Sequence, residues 1–196
     1  MDLIAHVTET FHISARLKSA SADLLAPAIV EAVEKMSRCL LGGGKLLVCG
    51  NGGSAADAQH MAAEFVNRFE MERPGLAAIA LATDGSALTS IANDYDFSMV
   101  FSKQVLALGQ PGDVLVAIST SGNSRNVVEG ALAARAREMT VIALTGGDGG
   151  LLGEVLDETD IRIVVPSEHT ARIQEVHGLI VHCLCDGVDR MILGVE

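Results

Sequence analysis

Between Lys45 and Val165 the chain alternates five short apolar runs with longer polar stretches: KLLVCG (45–50), LAAIALA (76–82), DVLVAIS (113–119), MTVIALT (139–145) and IRIVV (161–165). The runs are nearly continuous, whereas a strand wetted on one face alternates apolar with polar residues. Continuous runs suit strands covered on both faces. The intervening stretches are long enough for crossover helices, and a strand that returns through a helix pairs in parallel. The expected fold is therefore α/β, a five-stranded parallel doubly wound sheet, with the flavodoxin-like order 2-1-3-4-5 by analogy with other folds of this type.

The flanks of this unit read as helical. Residues 1–41 carry apolar positions at helical spacing, first Ile4, Val7, Phe11 and Leu17, then Ile29, Val33, Met36 and Leu40. Pro27 sits where it would open a second helix, so two helices are expected there. The last segment, SEHTARIQEVHGLIVHCLCDGVDRMIL, predicts a long helix over 168–193. It is apolar around much of its circumference and must be buried on more than one side. Another subunit is the simplest extra cover, which predicts a homo-oligomer. Gly178 and Gly187 each weaken that helix by about 1 kcal/mol relative to Ala, a sign of close helix packing.

The whole chain, 196 residues, suits one domain (1–196), with the sheet and its crossover helices over 45–165. Fourteen Lys and Arg against 25 Asp and Glu give a net charge of −11 without a basic tract, which argues against nucleic acid as a ligand. The amino terminus, MDLIAHVTETFHISARLKSA, lacks the apolar core of a secretion signal. No apolar run approaches the ~20 residues of a membrane span. Cys39, Cys49, Cys183 and Cys185 form no CxxC pair, and thiols reduced in the cytoplasm fit better than a disulfide frame. A soluble cytoplasmic protein with no membrane partner is expected.

Ligands of an open parallel sheet bind beyond the carboxyl ends of the strands, where helix amino termini offer free N–H groups. Two loops look built for this. CGNGGSA after the first strand satisfies G-x-G-x-x-A with Gly50, Gly52 and Ala55. A dinucleotide fingerprint also needs an acid about 20 residues on. The nearest candidate, Asp84, lies more than thirty residues beyond, so no nucleotide cofactor is expected. The second loop, STSGNS (119–124), gathers Ser119, Thr120, Ser121 and Ser124 at a helix start. Any one of them could be a cap or turn residue. Four hydroxyls exceed what capping one helix requires, and with backbone N–H groups they suit a phosphate.

His60 and Glu64 lie at i, i+4 and share one face of the helix that starts in the first loop. Such a pair is commonly an exposed helix contact. Here its helix opens at the presumed pocket, although Glu64 lies about three turns in, ~15 Å along the axis. The last helix adds Gln174, Glu175, His177 and His182, of which His177 reads as a core histidine. Gln174 and His182 are ~12 Å apart on an unbroken helix. Either the helix starts after Gln174, or two subunits share the site.

Taken together, CGNGGSAADAQHMAAEF, SIANDYDF, GQPGDVLVAISTSGNS, VIALTGGDGG and ARIQEVHGLIVHCLCD resemble the sugar isomerase (SIS) domain family, and within it the phosphoheptose isomerases. The resemblance covers essentially the whole chain. It implies isomerisation of sedoheptulose 7-phosphate to D-glycero-D-manno-heptose 7-phosphate for the lipopolysaccharide core. By resemblance, Asn51, Gly52, Gly53, Ser54, Asn93, Asp94, Gln174 and Glu64 would contact this seven-carbon sugar, and Ser119, Thr120, Ser121 and Ser124 would hold its phosphate. Glu64 resembles the catalytic base and His182 its acid partner. Some members hold zinc, through residues matching His60, Glu64, Gln174 and His182. The resemblance also implies a homotetramer with active sites between subunits, Glu64 and His182 coming from different copies. A sister branch of the family, similar in ARIQEVH and CLCD, binds the bacterial replication initiator and lacks the acid–base pair. Glu64 and His182 favour the enzymes.

Overall fold

The computed structural model describes residues 1–195. Helix α1 (Leu3–Leu41) leads into β1 (Leu46–Gly50), α2 (Gly53–Val66), β2 (Ala78–Ala80) and α3 (Gly85–Asp94). After a 3-10 turn (Phe97–Met99) come α4 (Val100–Leu108), β3 (Val114–Ile118), α5 (Arg125–Ala136), β4 (Thr140–Gly146), α6 (Gly150–Glu154), β5 (Ile161–Val165) and α7 (Thr170–Leu193). All four strand pairings are parallel and the order is β2-β1-β3-β4-β5, as expected from the sequence.

The period of two along a strand divides the core between the two faces of this sheet. Leu46 and Val48 of β1, Val114, Val116 and Ile118 of β3, and Ile142 and Leu144 of β4 pack under α1, α2 and α7. Leu47 and Cys49, Leu115 and Ala117, and Val141 and Ala143 point the other way, under α4 and α5. The central strands β1 and β3 are buried at every position. The edge strands differ: β2 shrinks to three residues with Ile79 exposed, and β5 exposes Arg162. An edge strand has a neighbour on one side only, and an exposed charge there discourages pairing with another chain.

The amino-terminal segment is one helix of 39 residues rather than two, and it runs through Pro27. The proline removes the hydrogen bond to the Asp23 carbonyl and crowds it, at about 3 kcal/mol in a helix interior. Leu25, Ala32, Val33 and Met36 are buried on both sides of that point and share one core with Val176, Ile180 and Leu184 of α7, which holds the helix continuous across the defect. Gly187 lies under α1, where a Cβ would meet the Val33 side chain, whereas Gly178 faces open space. Close packing therefore explains the first of these glycines and leaves the second without a structural reason. Among the described residues no helix is long and apolar enough to cross a membrane, and the four cysteines are free.

Candidate active site

The first loop leaves β1 through Asn51 and Gly52 and enters α2 at Gly53. Gly52 caps the helix with φ of 55°, in the left-handed region that glycine adopts without strain. A Cβ at Gly53 would run into the side-chain amide of Gln174, so the absent side chain is what lets α7 approach the start of α2. Ser54 is buried behind them. Asn51 is held by a reciprocal amide pair with Asn126 of α5, each donating to the other's oxygen at 2.8 Å. Asn126 is 4% exposed and ties the first loop to the second. It lay unnoticed in the sequence because a single asparagine in a helix carries no local signal.

In the second loop Ser119 is buried at the end of β3, and its hydroxyl donates to Ser124 Oγ at 3.1 Å. Ser124 occupies the N-cap position of α5, yet its hydroxyl faces Ser119 instead of bonding to the first turn. Capping therefore fails to explain this cluster. The helix start, with its free N–H groups and positive end, carries Arg125 as its first residue. Ser121 Oγ accepts from the Asn123 amide at 3.2 Å. Thr120 and Ser121 open onto a cavity of about 270 Å³, which Gly146, Gly147, Glu168 and Thr170 also line. These elements meet where the carboxyl ends of β3, β4 and β5 emerge. Asp84, the one acid considered for a ribose, caps α3 by accepting from the Ala87 amide at 3.0 Å.

Farther along α2, His60 Nε2 and Glu64 Oε1 are 3.1 Å apart. The His182 ring meets the His60 ring edge-on with centroids 5.1 Å apart, and Phe69 lies 5.4 Å from His182 on another side. One chain thus brings His60, Glu64 and His182 together, which corrects the expectation that separate copies contribute Glu64 and His182. The reason is that α2 and α7 run side by side in the same direction, Gly53 against Gln174 and His60 against His182. Helix α7 starts at Thr170, so Gln174 and His182 both lie within it and face different parts of this groove. Glu64 keeps 23% of its side chain exposed and His60 keeps 44%, so the carboxylate and imidazole are reachable from solvent.

Between the two ends of the groove stands Asp57, three residues before His60 on α2 and missed in the sequence reading. Burial pushes its carboxyl up, opposed by a hydrogen bond from Gln174 and by the nearby His60. His177, read as a core residue, is fully buried with Nε2 3.0 Å from the Thr145 carbonyl, and burial pushes its imidazole down to about 4. Asn93 and Asp94 end α3, both exposed, with Asn93 donating to Asp94 at 2.9 Å. They join neither cluster through a hydrogen bond. The turn after them nevertheless lies near the start of α5. The Asp96 carboxyl is held below its usual range by bonds from Ser98 and, to a smaller extent, by Arg125.

One chain therefore carries two separate clusters, a hydroxyl cradle at the head of α5 and an acid–base group three turns down α2, ~16 Å from the start of that helix. Similarity to known proteins bears on what they serve. Residues 11–146 match the SIS domain family. The chain is 66% identical over all of its 196 residues to a phosphoheptose isomerase of Aromatoleum aromaticum, spanning 99% of that protein. It is 63% identical, over the full length of both chains, to the phosphoheptose isomerase of an Azoarcus species. Among solved structures, the phosphoheptose isomerase of Neisseria gonorrhoeae superposes with a TM-score of 0.91 at 55% identity, covering 95% of this chain and 98% of that one. The enzyme of Francisella tularensis superposes at 0.94 with 48% identity, covering 97% and 100%.

Proposed function

Because the chain belongs to the SIS domain family and, within it, to the phosphoheptose isomerases, we propose that it is the aldose–ketose isomerase that converts sedoheptulose 7-phosphate to D-glycero-D-manno-heptose 7-phosphate. The observation that carries this reading at the level of chemistry is the grouping of Glu64 with His60 and His182 in one solvent-reachable groove.

The reaction moves a hydrogen from C1 to C2 of the ketose and needs a base at carbon with a second group at the oxygens. Glu64 removes a proton from C1, leaving an enediol, and returns it to C2. His182 gives a proton to the oxygen at C2 and takes one from the oxygen at C1, so charge and atoms balance over the cycle. Ser119, Thr120, Ser121 and Ser124, with the N–H groups at the head of α5, hold the phosphate. Asn51, Gly52, Gly53, Ser54 and Gln174 contact the sugar, as do Asn93 and Asp94. An anion fits here despite the −11 net charge because the field at the helix start is local.

Glu64 lies ~16 Å along α2 from the loop that Asn51 and Asn126 tie to the cradle, a long reach for one small ligand. The cradle of one copy therefore serves the acid–base group of another, in a homotetramer. Two features support this. The first 18 residues of α1, 3–20, are exposed or half-buried, with Leu3, Ile4, Val7 and Phe11 open to solvent. An apolar groove of about 540 Å³ between α1 and α7, lined by Leu25, Val30, Leu179 and Met191, continues that surface. Light scattering should give about four times the mass of one chain; a stable monomer that turns over substrate would rule out sharing.

Zinc is also accepted by imidazole and carboxylate donors such as His60, Glu64 and His182, whereas Gln174, ~12 Å from His182 along α7 of the same chain, would join them only from another copy. Zinc bound there would polarise the substrate carbonyl. As the side chains stand, among the described residues no three His, Cys, Asp or Glu converge closely enough to hold a metal ion. The proton steps belong to Glu64 and His182 in any case. Free thiols support a cytoplasmic location.

The test is a coupled assay of the purified protein with sedoheptulose 7-phosphate. Turnover is expected. Absence of turnover together with tight binding of the bacterial replication initiator would replace this reading with that of the sister branch.

A further inference from the structure

Arg73 lies in the loop between α2 and β2, yet only 7% of it is exposed, and the side chains of Arg73 and Asp189 are 1% and 0% exposed. The guanidinium is engaged on three sides. Nε donates to Asp189 Oδ1, Nη1 to the Phe65 carbonyl at 2.9 Å, and Nη2 to the Glu64 carbonyl at 3.0 Å. It also stands 6.0 Å from the centroid of the Phe65 ring. The two carbonyls belong to the last turn of α2, where helical oxygens lack intrahelical partners and a positive charge is favourable. Asp189 is on α7, seven residues after His182 and so two turns along the same face.

A buried ion pair is a poor source of stability, because desolvating both charges offsets much of their attraction. Its placement is more informative. Arg73 is bonded to the main chain of Glu64 itself and, through Asp189, to the helix that carries His182.

We propose that Arg73 and Asp189 are positioning residues that peg the end of α2 to α7 and so set the Glu64 carboxylate against the His182 imidazole. The proposal rests on the assignment of Glu64 and His182 as base and acid. Misplacement of a catalytic group by about 1 Å costs on the order of 10²-fold in rate, so loosening this peg acts on kcat. The phosphate cradle sits on β3 and α5, away from the peg, so KM stays near its wild-type value.

Arg73→Lys keeps the charge but loses the planar fork that reaches a carboxylate and two carbonyls together. The double variant Arg73→Met with Asp189→Leu replaces the pair with apolar side chains, a change that buried ion pairs often tolerate. Steady-state kinetics with sedoheptulose 7-phosphate, circular dichroism and thermal melts would be compared for both. The expected result is folded protein, KM within about threefold and kcat lower by about 10²-fold. In a Glu64→Gln background, Arg73→Lys should cost less than about twofold, since an effect that acts through Glu64 disappears with its carboxylate. Wild-type kcat in a folded Arg73→Lys protein overturns the proposal, as does a full extra loss in the Glu64→Gln background. Failure of both variants to fold overturns it too, by making the pair an element of folding. Wild-type turnover by Glu64→Gln alone would instead refute the assignment of the base on which the proposal rests.

Discussion

Glu64→Gln should lower kcat for sedoheptulose 7-phosphate by about 10²–10⁴-fold, the range a positioned general base contributes. Glutamine keeps the length and shape of the side chain but cannot accept a proton from carbon. Helix α2 should be unaffected, because Glu64 contributes to it only a half-exposed i, i+4 contact with His60, worth a few tenths of a kcal/mol. The melting temperature should therefore stay within about 2 °C of the wild type, and KM should change little, since the cradle proposed for the phosphate lies on other elements. Loss of wash-in of solvent deuterium at C2 in the variant would locate the defect at the carbon-bound proton. A folded variant with more than a tenth of the wild-type rate would exclude Glu64 as the base.

Ser124→Asp should raise KM by about two to three orders of magnitude and leave the fold intact. Aspartate is as good an N-cap as serine, so α5 keeps its start. Its carboxylate, however, would face the phosphate: two like charges ~4 Å apart repel by about 4 kcal/mol at the effective dielectric of a protein surface. Ser124→Ala provides the graded control. It removes one hydrogen bond to a charged group, worth about 1.5–3 kcal/mol, and should raise KM by roughly ten- to a hundredfold. Equal KM values for Ser124→Asp and Ser124→Ala would mean that the phosphate is held elsewhere.

Much of this architecture could be read along the chain because its signals are local. A parallel sheet covered on both faces selects continuous apolar runs, and the runs at β1, β3 and β4 lie where the strands form. One edge reads less well: the seven-residue run at 76–82 yields only Ala78–Ala80, whereas the run at the other edge, 161–165, forms β5 in full. Pro27 misled as well. Proline reports the local cost of a helix, whereas burial of residues around it against α7 decides whether the helix continues.

The candidate site divides the same way. The hydroxyl loop and the i, i+4 pair of His60 and Glu64 are set by spacing within one turn or one helix, so the chain written out already contained them. His182 is one of several candidates on the last helix, and resemblance to a family, rather than spacing, gives it the role of acid. That His182 stands against His60, that Asn126 holds Asn51, and that Arg73 reaches Asp189 across 116 residues of sequence were decided only when α2, α5 and α7 docked on the sheet. Hydrophobic periodicity specifies which face of each element is buried. Which polar groups then meet depends on the axial register between packed helices, a property of pairs of distant segments that no single stretch of residues carries.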